Sequence, residues 1–168
     1  VDKDLSFANG ANIYVNGVNN TLTLDSLSTA TGTVTMYTDG SSGTGLTNQG
    51  TITHTANTGQ IYSLNLANSG TITANSGTLY LGYPSPGYNS TNTGTITSDG
   101  ASTNVYLRGN FDNNGTITAQ NSGIVRFDGD STTANLGNVT LSTGGRALLQ
   151  GTLDNTSTTL TAPTGGTT

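Results

Sequence analysis

The 168-residue sequence contains no cysteine, no tryptophan, one methionine and one histidine, and 8% of its residues are charged. Each scarcity excludes a class of chemistry. Without cysteine there is no disulfide framework and no thiolate metal site. A lone histidine, His54, leaves no Cys–His pair and no zinc ligand set. It follows Thr53 on a polar stretch and is read as a solvated surface histidine. Four Lys plus Arg against nine acids give a net charge of −5, so the clustered cations that phosphate binding needs are missing and a nucleic-acid partner is excluded. No apolar run approaches the length of a membrane-spanning helix, so membrane insertion is not expected. No window carries apolar residues at i, i+3, i+4, i+7, so amphipathic helices are not expected either. Leu, Ile, Val and Phe together make up only about a fifth of the chain, a level that in a highly charged sequence signals disorder.

What fills the chain is threonine, asparagine and glycine, and they are ordered. Asn48-Gln49-Gly50-Thr51-Ile52-Thr53 returns as Asn68-Ser69-Gly70-Thr71-Ile72-Thr73, Asn92-Thr93-Gly94-Thr95-Ile96-Thr97 and Asn113-Asn114-Gly115-Thr116-Ile117-Thr118. The starts at 48, 68, 92 and 113 set a period of 20 to 24 residues, with one strand-like phrase per step. Such a period writes a solenoid, in which sparse apolar residues at fixed intervals build a thin continuous core. A second alternating segment follows each phrase: Thr78–Gly82, Asn104–Gly109, Ile124–Gly129 and Arg146–Gly151. Downstream, Asn138-Val139-Thr140 and Thr159-Leu160-Thr161 stand in for the phrase; upstream, Gly32-Thr33-Val34-Thr35 reads as an earlier copy and Asn12–Gly17 as an earlier second strand.

The pattern predicts an all-β chain, a single parallel β-helix of six or seven coils over residues 1–162, about 30 Å long at 4.8 Å per coil. Residues 163–168 read as a tail or linker, and the opening Val1-Asp2-Lys3-Asp4 as that of a processed or excised segment. Ile52, Ile72, Ile96, Ile117, Val139 and Leu160 should stack inside, facing Leu79/Leu81, Val105/Leu107, Val125/Phe127 and Ala147/Leu149. The phrase glycine should turn a corner with positive φ. Asn48, Asn68, Asn92, Asn113 and Asn155 should form an amide ladder from coil to coil. Gly82-Tyr83-Pro84-Ser85-Pro86-Gly87-Tyr88, with two prolines, should bulge as a loop.

These phrases, with Gly-Thr-Leu-Tyr-Leu and Gly151-Thr152-Leu153-Asp154-Asn155, resemble the β-helical repeats of bacterial filamentous-haemagglutinin-type adhesins and autotransporter passengers over roughly residues 30–162. The resemblance implies a right-handed coil, exported and displayed outside the cell. It carries over no receptor-binding motif.

No active site or cofactor is called for. The aspartates are dispersed, and the one local pair, Asp128 and Asp130, reads as a turn that could at most ligate Ca²⁺ weakly. Two surface features remain. Thr51/Thr53, Thr71/Thr73, Thr95/Thr97 and Thr116/Thr118 would form an outward array like those of ice-binding solenoids. Tyr14, Tyr62, Tyr80 and Tyr106, continued by Arg126, would form an outward aromatic column, with Tyr83 and Tyr88 on the loop as further contact residues. The reading is therefore a non-enzymatic extracellular structural protein that self-associates end to end, with a carbohydrate-binding adhesin segment and an ice-binding protein as alternatives.

Overall fold

The computed structural model describes residues 4–8, 11–41, 43–63, 65–85, 87–156 and 158–161. The tail expected beyond 162, Pro86 and Val1–Lys3 lie outside them. The described chain winds into seven coils of three short strands each, every strand pairing in parallel with the one a coil away. In a central coil the strands are Thr71–Ala74, Thr78–Leu81 and Asn89–Asn92. They belong to three sheets that run along the rod: a threonine sheet and a tyrosine sheet of seven strands each, and an asparagine sheet of five.

The expected register holds through the centre. Ile52, Ile72, Ile96, Ile117 and Val139 pair in sequence, extended upstream by Ala30 and Leu5. Leu79, Val105, Val125 and Ala147 form one facing column, and Leu81, Leu107, Phe127 and Leu149 the next. Leu46, Leu66, the small Ser90 and the bulky Phe111 line the third side. The proline-containing segment does interrupt its coil, between the strands ending at Leu81 and beginning at Asn89.

Several expectations are corrected. Leu160 lies outside the strands, 42% exposed, so the isoleucine column ends at Val139. The earlier copy of the phrase is Thr29–Gly32, which pairs with Thr51–His54; Thr33 and Val34 are buried at the following corner and Thr35 opens the next strand. The threonine run misled because Ala30, not an isoleucine, holds the inward position. His54 is fully buried instead of solvated. It occupies the fourth, inward place of its strand, between Gly32 and Ala74, whose lack of bulk leaves room for the ring.

The phrase glycines are needed for a different reason than expected. Gly50, Gly70, Gly94 and Gly115 do not have φ in the left-handed region. What they lack is space: a Cβ on Gly94 would stand 2.1 Å from the carbonyl oxygen of Gly70 in the coil before. Backbone stacks on backbone at this corner, and any side chain would part the coils.

The asparagine ladder is real and shorter than the sequence suggests. Asn48 Nδ2 donates to Asn68 Oδ1 at 2.7 Å, Asn68 to Asn92 at 2.6 Å, and Asn92 to Asn113 at 2.7 Å, all buried. Asn155 is not a member; it accepts a bond from Thr133 at the surface. The next coil instead makes a single helical turn, Thr133–Leu136, whose N-cap Thr132 accepts from the Asn135 N–H. Asn113 Nδ2 therefore donates to the Leu136 carbonyl at 2.9 Å. The turn displaces the chain, so the last pair of strands on that side, Ser131–Thr132 with Leu153–Asp154, forms a separate small sheet.

Candidate functional site

Three surfaces and two ends could carry function. The tyrosine sheet is the most built of them. Its outward residues form two columns, not the single one expected. Tyr14, Tyr37 and Tyr62 share one register position. Tyr80, Tyr106 and Arg126 share the neighbouring one, beginning at Gln60. The misassignment arose because Tyr62 falls two residues beyond the place that Gln60 takes. Tyr37, unnoticed in the sequence, is the link: its ring stacks on Tyr14 at 5.2 Å and meets Tyr62 edge-on at 5.8 Å. Burial, then the neighbouring phenols Tyr14 and Tyr62, raise its pKa.

Arg108 joins the two columns. Its register partner in the preceding coil is Gly82, which has no side chain, so the guanidinium folds back over the gap. It sits 3.8 Å from the centre of the Tyr80 ring, donates to the Tyr62 hydroxyl and pairs with Asp128 at 3.4 Å. The loop adds Tyr83, 6.4 Å from Tyr62, and Tyr88, 5.2 Å from Tyr83. Tyr80 and Tyr106 lie 4.7 Å apart, with Arg126 at 5.3 Å beyond. All seven tyrosines thus form one patch, and all three arginines are on this sheet. Six of the seven rings are half-buried against one another, in two stacked or tilted pairs and three edge-on ones. Tyr14, 62% exposed at the end of the stack, is the exception.

The threonines pair in register from coil to coil, one coil beyond the four pairs picked out in the sequence. Thr29, Thr51, Thr71, Thr95 and Thr116 form one column, and Thr31, Thr53, Thr73, Thr97, Thr118 and Thr140 the other. Along a strand the pair is about 7 Å apart and between coils about 4.8 Å.

On the third side the displaced coil opens a cleft of about 480 Å³, lined by Asn89, Thr91, Asn110, Asp112, Asp130 and Asp154 among others. Asp128 pairs with Arg108 and Asp130 lines the cleft, and the two also border a smaller pocket of about 150 Å³ beside Pro84 and Asn110. Among the described residues no group of three or more His, Cys, Asp or Glu is placed to hold a metal ion. His54 has no reacting partner. Burial lowers its pKa, opposed by the Asn57 carbonyl, and its Nδ1 has no hydrogen-bond partner.

Among the described residues, core side chains at both ends of the rod are only partly covered. At one end Leu5, Ile13 and Leu22 are half-buried; at the other, Val139, Leu141, Ala147 and Leu153 are half-buried and Leu149 is 45% exposed. There a groove of about 530 Å³ runs between Phe127, Leu136, Val139, Ala147, Leu149 and Leu160. Among the described residues no helix caps either end, and none is long and apolar enough to cross a membrane.

The class these features define is a parallel β-solenoid of about seven coils. Searches against protein-family models, curated proteins and solved structures find no match to this chain.

Proposed function

We propose that this chain is a non-enzymatic structural β-solenoid that assembles end to end into a filament outside the cell. The observation that carries the reading is the match between the two open ends. The same interior columns that finish in Val139, Leu141, Ala147 and Leu149 begin with Leu5, Phe7, Ala11 and Ile13. A second copy laid on the first would set apolar on apolar in each column and continue both seven-stranded sheets in parallel. The unpaired strand edges would be satisfied by the same contact. Its two surfaces differ, and stacking along the rod axis carries each copy forward without turning back on the first, so the contact repeats without closing and yields an open fibre. Display outside the cell is supported by the resemblance of the repeats to exported adhesins.

Negative-stain electron microscopy and sedimentation over a concentration series test this. Rods should lengthen with concentration at constant width, and Leu149→Lys should hold the protein as monomers with unchanged circular dichroism. Monomers of the unaltered protein at every concentration reject the proposal.

Two alternative readings each have an observation in their favour. Ice binding draws on the threonine array, unbroken over five coils from Thr29/Thr31 to Thr116/Thr118. Inhibition of ice growth that disappears on Thr71→Tyr and Thr95→Tyr would promote it. Carbohydrate binding draws on the polar cleft, where Asn89, Asn110, Asp112 and Asp130 offer the amides and carboxylates that engage sugar hydroxyls. Oligosaccharide binding lost on Asp112→Ala would promote that one.

A further inference from the structure

The tyrosine patch has a chemical property that neither packing nor docking uses. The side chains that ordinarily intercept oxidants are absent or hidden. There is no cysteine and no tryptophan, the single methionine, Met36, is 2% exposed, and His54 is fully buried. Tyrosine is therefore the oxidisable side chain at the surface. Every one of the seven rings has another within 4.7–6.4 Å.

We propose that this face is an oxidative coupling site, where phenols on adjacent coils join into dityrosine and staple one coil to the next. Three tyrosine pairs stand in register on neighbouring strands; Tyr37 with Tyr62 lies edge-on at 5.8 Å, and the two nearer pairs are Tyr80 with Tyr106 and Tyr14 with Tyr37. Their centroids stand 4.7 Å apart with planes tilted by 36°, and 5.2 Å apart with planes at 21°. Coupling needs rotation of the rings about their side-chain bonds and a local parting of the two strands by about 2 Å, because the linked rings hold their Cβ atoms about 7 Å apart against about 5 Å for residues in register. Arg108, over the Tyr80 ring, holds one member of the first pair in place.

The co-reactant is a peroxide, delivered through a haem peroxidase. Each phenol gives up one electron and its hydroxyl proton to become a phenoxyl radical. The two radicals form one carbon–carbon bond between ring carbons ortho to oxygen, and the hydrogens on those carbons shift to the oxygens to restore the phenols. Two electrons and two protons leave in all, and they reduce one hydrogen peroxide to two waters. The product ties positions more than twenty residues apart in sequence, so it constrains the unfolded chain as any such cross-link does.

The test treats the full chain, at a dilution where it is monomeric, with hydrogen peroxide and a haem peroxidase. Dityrosine fluorescence, a denaturing gel and mass spectrometry of digested peptides are read together. The expected result is a monomer-sized product with peptides joined through Tyr80 and Tyr106 or through Tyr14 and Tyr37, and a raised melting midpoint. Tyr106→Phe, which keeps the ring and its packing, should remove the first link and spare the second. The same chain unfolded in urea should give several-fold less of the monomer-sized product. The proposal fails if coupling occurs only between molecules, if folded and unfolded chains couple equally, or if no dityrosine forms while free tyrosine in the same tube is coupled.

Discussion

At the scale of single residues, a methyl group on Gly94 is the smallest change with the largest expected effect. Its Cβ would meet the Gly70 oxygen at 2.1 Å and the Ser69 carbonyl carbon at 2.6 Å, both backbone that cannot rotate away. Gly94→Ala should cost about 3 kcal/mol or more in urea unfolding. Gly87→Ala, on the open loop at φ +96 with nothing within 4 Å, should cost only the left-handed backbone term of about 1–2 kcal/mol. Asn92→Ala removes both buried ladder bonds, leaving the Asn68 amide only long contacts at 3.4 Å to the Gly70 and Thr95 carbonyls and Asn113 Oδ1 only the Gly115 N–H at 3.3 Å, so a loss of about 1–3 kcal/mol is expected by the same measurement. His54 makes stability pH-dependent. Its folded pKa lies below its unfolded value near 6.5, so the unfolded chain binds the proton first. The stabilisation is complete above pH 6.5 and drains away as pH falls through that value towards the folded pKa. The urea midpoint should therefore drop between pH 7.5 and pH 5, and that drop should vanish in His54→Ala. The carboxylates of Asp39, held low by the Gly17 and Ser41 N–H groups, and Asp154, held low by Thr156, act in a separate window below the ordinary carboxylate range.

At the scale of strands and columns, what the sequence revealed and what it hid divide along a physical line. Inward positions were legible because alternation and a period of 20 to 24 residues fix them twice over, which is why Ile72 and Ile96 pair as expected. Register failed where a coil varied its inward residue, as with Ala30 upstream and His54 in the fourth place. The helical turn at Thr133–Leu136 carried a signal in Thr132, a residue suited to capping, but the periodic reading overrode it. The tyrosine patch was half visible: ring positions can be read, whereas the bridge made by Arg108 depends on Gly82 leaving a gap in the coil before. That bridge has a measurable weight. Arg108 is 17% exposed on its side chain, stacked on Tyr80 and paired with Asp128. Arg108→Ala should lower stability by about 1–2 kcal/mol in thermal unfolding. Raising the salt should recover little of the difference, because the ring contact is screened less than an exposed ion pair.

At the scale of the whole rod, each coil touches only its neighbours, so stability should be a sum over coils and their interfaces. Residues 51–70 make up one complete winding, from the end of one Asn-x-Gly to the end of the next. Deleting them joins Gly50 to Thr71 and brings Thr29–Gly32 against Thr71–Ala74, Thr35–Thr38 against Thr78–Leu81, and Leu46 and Asn48 against Ser90 and Asn92. Each new neighbour is the one a coil further on, in the same register, and the inward contacts stay alike except that Leu46 meets the small Ser90 in place of Leu66. The Asn48 amide would meet Asn92 in place of Asn68, so the ladder closes over the cut. The shortened chain should fold, keep its β-sheet circular dichroism, and lose about an eighth of its urea m-value, in proportion to the residues removed. Because His54 leaves with the deleted coil, the acid-dependent drop between pH 7.5 and pH 5 should disappear as well. A globular core shared by all coils would respond otherwise, by unfolding outright, and that outcome would contradict the additive account of this rod.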